Sequence, residues 1–400
     1  MIPFSPPRID DLIIAEVVDA LRSGWITTGP KVAIFEKMLA DYCNISNVLC
    51  LNSNSAGMEL MLRWFGVQAG DEVILPAYTY TATANVIVHC GAKPVMVDVN
   101  DDFNINVENI RKAITSRTKV IMPVDIAGFP CDYDEINSLV KEEAVRKMFS
   151  PNTQEQRALG RILVLSDAAH SIGAKYKGKR TGALTDITVF SFHAVKNLTT
   201  AEGGAVCLNL PDPFNCQQLY KQLRTKSLHG QSKDALAKSQ IGNWRYDVTE
   251  AGFKCNMTDI LAAIGLVELP RYDSEMLARR KQIFDAYSAA FSQNSQFQVP
   301  VYETNIKTSS YHVYPLRIKG ISEAQRDEIM KRIFEQEVCI NVHFIPLPML
   351  SFYKNSGYCI DNYPVTYDNY SREISLPVYF DLTDEQVETV IQTVIQAVTK

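Results

Sequence analysis

Ser191-Phe192-His193-Ala194-Val195-Lys196-Asn197-Leu198-Thr199-Thr200-Ala201-Glu202-Gly203-Gly204-Ala205-Val206 is the segment around which the rest of the chain falls into place. The run Ile187 to Phe192 is β-branched and aromatic and reads as a strand ending at a polar cluster. Ala205 to Leu210 reads as a second strand, entered through Gly203-Gly204. Between them a single lysine, Lys196, occupies a short turn. Desolvation at the end of a buried sheet disfavours an ammonium ion, lowers its pKa and frees the neutral amine as a nucleophile. Electron-sink chemistry on an aldehyde cofactor needs such an amine. A surface lysine in a turn has the same local pattern, so the neighbouring segments have to be weighed with it.

The 400 residues exceed what one core usually holds, which predicts a large domain, residues 1–270, and a smaller one, residues 271–400. With 46% hydrophobic and 21% charged residues the composition is that of a globular protein. A net charge of −5 without a basic run argues against nucleic acid or an anionic membrane as the main partner. No apolar run is long enough to span a bilayer, and Met1-Ile2-Pro3-Phe4 has no signal-peptide pattern. The nine cysteines are scattered, without any C-x-x-C, which favours reduced thiols and a cytoplasmic setting over disulfides or zinc. The six histidines show no metal-ligand spacing, so no metal is expected.

Further out, helical patterns cover Ile9 to Arg22 and Val32 to Tyr42, separated by Gly24-Trp25-Ile26-Thr27-Thr28-Gly29-Pro30. Trp25 there is either a binding surface or a plug that seats the loop on the core. From residue 47, Val48–Leu51, Glu72–Leu75, Lys93–Asp98, Lys119–Val124, Ile162–Ser166, Ile187–Phe192 and Ala205–Leu210 read as strands. Ser55–Phe65, Thr81–His89, Val107–Ile114 and Tyr133–Met148 read as helices between them. This βαβα rhythm predicts a largely parallel, buried sheet with helices on both faces. Residues 149–160 are polar and read as a surface insertion. Thr225 to Lys254 reads as loop, and Asp259 to Ser292 as a long helix interrupted at Pro270. Strands are expected at Ser310–Ile318 and Val338–Phe344, and a last helix at Asp384–Val398.

Ligands of parallel sheets bind beyond the carboxyl ends of the strands. The first strand is followed by Asn52-Ser53-Asn54-Ser55-Ala56-Gly57-Met58, small residues that open a helix and suit an anion, or simply cap the helix. After the second come Tyr78 and Tyr80, either of which could stack on a flat ring. After the fifth stands Ser166-Asp167-Ala168-Ala169-His170. A carboxylate there needs a cationic partner, which a protonated pyridine nitrogen provides, and His170 could touch a phenolic oxygen; an N-cap aspartate is the plainer alternative. One ligand, pyridoxal 5′-phosphate (PLP), needs all of these groups together: a phosphate site, a ring site, a carboxylate and an amine.

In this order, and with Glu202-Gly203-Gly204 after the lysine, the motifs resemble the DegT–StrS group of PLP-dependent nucleotide-sugar aminotransferases. The Gly24–Pro30 loop and Gly252-Phe253-Lys254-Cys255-Asn256-Met257-Thr258-Asp259 look most like its branch that aminates C4 of UDP-4-keto sugars, as in UDP-4-amino-4-deoxy-L-arabinose synthesis. The resemblance implies the α/β fold of PLP-dependent transferases of fold type I, with a mainly parallel seven-stranded sheet and a smaller α+β C-terminal domain. By it, Lys196 is the Schiff-base lysine, Asp167 pairs with the pyridine nitrogen, His170 lies beside the ring oxygen and Tyr80 stacks on the ring. Ser55, the Ala56 amide and Ser191 hold the phosphate, with Lys254 contributed across a homodimer that shares its active sites. Trp25, His312 and His343 fall near the sugar. L-glutamate gives the amino group, leaving 2-oxoglutarate and the pyridoxamine form (PMP), and a nucleotide-linked keto sugar receives it. The resemblance leaves two alternatives, a PLP-dependent sugar dehydratase or deoxygenase and a catalytically silent regulatory homologue. Relatives of the first kind carry histidine in place of the lysine, so Lys196 argues against it.

Overall fold

The computed structural model describes residues 1–232 and 244–399. Its centre is a seven-stranded sheet of β1 (Asn47–Leu51), β2 (Glu72–Pro76), β3 (Lys93–Val97), β4 (Thr118–Ile121), β5 (Leu163–Asp167), β8 (Ile187–Ser191) and β9 (Gly204–Leu208). Two short strands, β6 (Lys175–Tyr176) and β7 (Lys179–Arg180), fall between β5 and β8 and belong to another sheet. The order is β1-β9-β8-β5-β4-β2-β3. Every pairing is parallel except those of β9 with β1 and β8. Since β9 runs against both neighbours, β1, β2, β5 and β8 all point their carboxyl ends to one edge.

Alternation along the strands places apolar side chains on both faces. Leu49, Leu51, Val206 and Leu208 join one apolar cluster, while Val48, Cys50, Ala205 and Cys207 join another on the opposite side. Helix Asn54–Trp64 packs on the first face, where a Cβ on Gly57 would lie 2.7 Å from Val189 Cγ1. Helix Pro30–Cys43 covers the second with Phe35 and Leu39.

The remaining strands are short apart from two: β10 (Phe297–Gln298), β11 (Lys307–Thr308), β12 (Tyr314–Ile318) and β13 (Glu373–Leu376). β10, β12 and β13 form an antiparallel sheet. Its core contains Phe284, Tyr287, Tyr314, Leu316, Ile374 and Val390, with helix Asp384–Thr399 packed on it. Ile2 also belongs to that core, so the chain starts in the C-terminal part of the molecule. Tyr272 and Met276 still pack under the large sheet whereas Ile283 does not; the change of core therefore runs through Tyr272–Leu277. Those six residues form a wide π-helical turn directly after Pro270, which lacks the N–H that would continue a regular ladder.

Four expectations are corrected. Tyr133–Met148 is two helices, Tyr133–Leu139 and Glu143–Met148, the break letting Val140 and Val145 both reach the core. Residues 149–160 are not a surface insertion throughout: a short helix, Gln154–Leu159, fully buries Gln156, whose Nε2 donates to the Phe65 carbonyl at 3.0 Å. Val338–Phe344 is not a strand. It makes only single bridges, Ile2 with Val338 and Asn341 with Ser375 on the outer edge of β13, so no continuous ladder forms. The loop expected at Thr225–Lys254 begins inside helix Cys216–Lys226, and residues 233–243 lie outside the described residues. Among the described residues no helix is long and apolar enough to cross a membrane.

The carboxyl edge depends on one close approach. A Cβ on Gly204 would sit 2.4 Å from the backbone of Ser53 and Asn54. Gly204→Ala is expected to cost about 1–3 kcal/mol of stability through overpacking, read from a chemical denaturation midpoint.

Candidate active site

A cavity of about 350 Å³ opens at the carboxyl edge and is closed from the other side by residues of the C-terminal part. Lys196 reaches it from the turn between β8 and β9. That turn is closed by the Phe192 N–H on the Gly203 carbonyl (2.9 Å) and the Thr200 N–H on the Phe192 carbonyl (2.9 Å). Part of the lysine surface stays open to the cavity, yet the surrounding protein excludes enough solvent to bring its pKa down to about 8, against the opposing pull of Asp167.

Asp167 ends β5, buried, with 4% of its surface exposed. Its Oδ2 accepts from Thr83 Oγ1 (2.8 Å), and its Oδ1 from Asn54 Nδ2 (3.2 Å) and the Ala169 N–H (3.2 Å). Burial pushes its carboxyl above the usual range, opposed first by Thr83 and also by Lys196. Three residues on, His170 is buried and its Nδ1 has no hydrogen-bond partner. Its ring centroid lies 4.3 Å from that of His312 and 5.7 Å from that of Phe344, nearly parallel to the latter. Burial holds both His170 and His312 well below the normal imidazole pKa, so both are neutral.

His312 is oriented by the residue after the lysine. Asn197 Nδ2 donates to the Ser310 carbonyl (2.6 Å), which turns its Oδ1 towards His312 Nδ1 at 2.7 Å. Nδ1 then carries the proton and Nε2 is an acceptor. His343 also lines the cavity, its ring stacked on Phe4 at 5.3 Å. The amino-terminal residues are thus a wall: Ser5 Oγ donates to the Val195 carbonyl (3.2 Å), and Ile2 is tied to Glu337 and Cys339.

Of the residues singled out from the sequence, Lys196, Asp167, His170, Ser55, Ser191, Tyr80, His312 and His343 line this one cavity. Tyr80 is 59% exposed, with its ring centroid 5.6 Å from that of Phe344. The Ala56 N–H is already engaged by Ser53 Oγ (3.1 Å), the N-cap of helix Asn54–Trp64. Trp25 and Lys254 are not among the residues lining the cavity of their own chain. Trp25 folds over Gly29 and donates from Nε1 to the Thr28 carbonyl at 3.1 Å. Asp259 accepts from the N–H groups of Gly29, Lys31 and Val32, and Thr28 Oγ1 accepts from Asn256 Nδ2. The segments 24–30 and 252–259 therefore hold each other. Lys254 is exposed. Sequence reasoning missed Asn54, Thr83 and Asn197 as partners of site groups, and Phe4 and Phe344 as walls. Asn54 and Asn197 stand inside the motifs; nothing local marks the other three.

The donor set suits PLP: an unpartnered imidazole nitrogen, a buried carboxylate calling for a cation, an amine with lowered pKa, and hydroxyls at a helix N-terminus share one cavity. A model of the DegT/DnrJ/EryC1/StrS aminotransferase family matches residues 7–148 and 153–395. Spr1654 of Streptococcus pneumoniae, assigned as a sugar aminotransferase and solved in a PMP form, superposes with a TM-score of 0.95 at 46% identity over 99% of each chain. Its PLP form gives a TM-score of 0.94 at 44% identity, covering 99% of this chain and 98% of that one. The spore coat polysaccharide biosynthesis protein SpsC of Bacillus subtilis is 35% identical over 98% of this chain and 96% of its own length.

In the cofactor-free protein, reductive methylation of Lys196 is expected to reach half its maximal rate near pH 8, since only the neutral amine reacts. Asp167→Asn removes the charge that favours the ammonium form, so the midpoint moves to lower pH; quantitative mass spectrometry of the lysine peptide reads both values.

Proposed function

The chain belongs to the DegT/DnrJ/EryC1/StrS aminotransferase family, and we propose that it transfers the amino group of L-glutamate to the C4 keto group of a nucleotide-linked sugar, with PLP and PMP as the two cofactor forms. The observation that carries this reading is the meeting of Lys196, Asp167 and His170 in one cavity. When bound, the cofactor supplies an aldehyde that condenses with primary amines and a ring that accepts an electron pair.

Each residue then has a task. Lys196 Nζ would be the nucleophile that anchors the cofactor and the base that takes a proton from the donor Cα and gives one to the acceptor carbon. Its pKa of about 8 keeps a usable fraction of free amine at neutral pH. Asp167 would hold the pyridine nitrogen positive, the cation its buried carboxyl lacks. His170 would face the ring oxygen through a neutral imidazole, and Tyr80 would cover one ring face. Ser55 and Ser191 would hold the phosphate. The Ala56 amide joins them only by exchanging Ser53 Oγ for phosphate.

Lys254, exposed and outside its own chain's cavity, would reach the phosphate of a second copy in a homodimer with shared active sites. Trp25, folded on its own loop, is placed at the sugar only through such an assembly. His312 would offer an acceptor for a sugar hydroxyl, and His343 would present its Nε2 to the sugar beside it. The relatives do not point to the UDP-4-amino-4-deoxy-L-arabinose branch; the name of SpsC favours a precursor of a cell-surface polysaccharide. Such precursors are made in the cytoplasm, where nine unpaired cysteines are stable.

Purified protein supplied with PLP and L-glutamate is expected to aminate at least one member of a panel of UDP-, GDP- and dTDP-linked 4-keto sugars, detected by product mass. Lys196→Ala should lose turnover by about 10⁴-fold or more, together with the borohydride-reducible link to the cofactor. Asp167→Asn should keep the link and slow turnover by about 10²–10⁴-fold. Full activity in the Lys196 variant, or no amination across the panel, overturns the proposal.

A further inference from the structure

Glu373 is fully buried and has no part in the chemistry above. It stands two residues before Ser375 on β13, so both side chains lie on the same face of the strand. Ser375 Oγ donates to Glu373 Oε1 at 2.5 Å, and the His343 backbone N–H donates to Oε2 at 3.2 Å. His343 Nδ1 lies 2.9 Å from Ser375 Oγ. The Tyr78 hydroxyl, donating to the His343 carbonyl at 2.7 Å, holds the backbone there, and the stacked ring of Phe4 covers one face of the imidazole. With Nδ1 turned to Ser375, Nε2 is the nitrogen left for the cavity that also holds Lys196.

We propose that Glu373, Ser375 and His343 form a proton relay whose outer end, Nε2 of His343, gives a proton to an oxygen of the sugar and takes one back, a role that rests on the aminotransferase reading above. In the loaded state the Glu373 carboxyl O–H donates to Ser375 Oγ, the Ser375 O–H donates to His343 Nδ1, and Nε2 carries a proton facing the cavity. Discharge moves three protons one place each: Nε2–H to the sugar oxygen, Ser375 O–H to Nδ1, and Glu373 O–H to Ser375 Oγ. Glu373 ends as carboxylate and the imidazole stays neutral throughout. Amination releases the keto oxygen as water, whose two hydrogens come overall from the incoming amine. A relay that lends one proton to the oxygen and recovers one from the amine therefore returns to its starting state.

The surroundings favour this division of labour. Burial, aided by the charge of Lys196, brings His343 down to about 3, which rules out an imidazolium as the acid. Burial pushes Glu373 up to about 8, against the hydrogen bonds of Ser375 and the His343 N–H and the charges of Arg326 and Arg317, which face it from helix Glu323–Phe334 and from β12; Tyr78 faces it from beyond β2. Lys196, His170 and His312 are the titratable groups around the ring of His343. Below about pH 8 the relay is loaded and Nε2 is a donor; above it the carboxylate turns the Ser375 O–H back, Nδ1 keeps the proton and Nε2 is an acceptor.

Lys196 titrates in the same range, so a pH–rate profile alone does not separate the two. The decisive readout is the pair of ¹⁵N shifts of His343 in histidine-labelled, cofactor-free full-length protein across about pH 6–10, assigned with His343→Gln. The expected result is a change from the Nε2–H to the Nδ1–H tautomer centred near pH 8. It should be absent in Glu373→Gln, whose amide donates to Ser375 at all pH values, and in Ser375→Ala, both checked for folding by thermal unfolding. Ser375→Ala should also lower kcat of the sugar half-reaction by about tenfold or more, and more than that of the glutamate half-reaction. A native tautomer that does not change with pH, or one that still changes in Glu373→Gln, overturns the relay. Amination by the native enzyme in either of those cases leaves the aminotransferase reading standing, while a tautomer change in a protein that aminates nothing sinks that reading and with it the relay's task.

Discussion

The carboxylate of Asp167 is the point at which the sheet edge is stitched together. Asn54 arrives from the turn after β1, Thr83 from the helix after β2, and the Ala169 amide from the chain directly after β5. A charge taken out of water at that depth is tolerated only with partners around it, so the three segments have to meet in one arrangement. Asn54 also bonds the Val189 carbonyl, which ties β8 and hence the lysine turn to the same point. The single antiparallel strand, β9, then matters: by pairing with both β1 and β8 it brings the Ser53–Ser55 corner beside the turn that carries Lys196.

The electrostatic character of the cavity follows from that geometry. One amine and one carboxyl face each other at a distance from solvent, and three imidazoles are kept neutral around them by burial. Neutral rings do not compete with a cationic ligand for Asp167. Two of the rings have their Nδ1 facing an oxygen, from Asn197 or from Ser375, and so present Nε2 inward. The cavity is specified as much by these outer groups as by the residues that line it.

The large sheet could be read from the sequence because its strands are short apolar runs with polar punctuation, and position at a strand end is a local property. Lys196, Asp167 and His170 are legible for that reason, while Ser55 and Ser191 stand out only through the family resemblance; all five line the cavity. Groups brought in from afar are not legible. Glu373 and Ser375 lie on β13, a four-residue strand that the apolar pattern does not mark, and Phe4 belongs to a segment with no secondary structure of its own. Trp25 shows the opposite limit: a tryptophan among glycines and threonines is conspicuous in sequence, yet here it closes its own loop. Gln156, in a stretch read as polar surface, is buried because a carboxamide can satisfy the last carbonyls of a neighbouring helix.

The wall made by Ile2, Phe4 and Ser5 bears on how the protein is born. These residues are translated well before the surfaces that receive them, around Val195 and from Glu337 to His343. The pocket therefore stays open on that side until the segment from Glu337 to His343 has been made. A nascent chain carrying the complete large sheet could already hold the lysine and its carboxylate, but only a chain extended through Ser375 brings the ring of His343 and its supports against them.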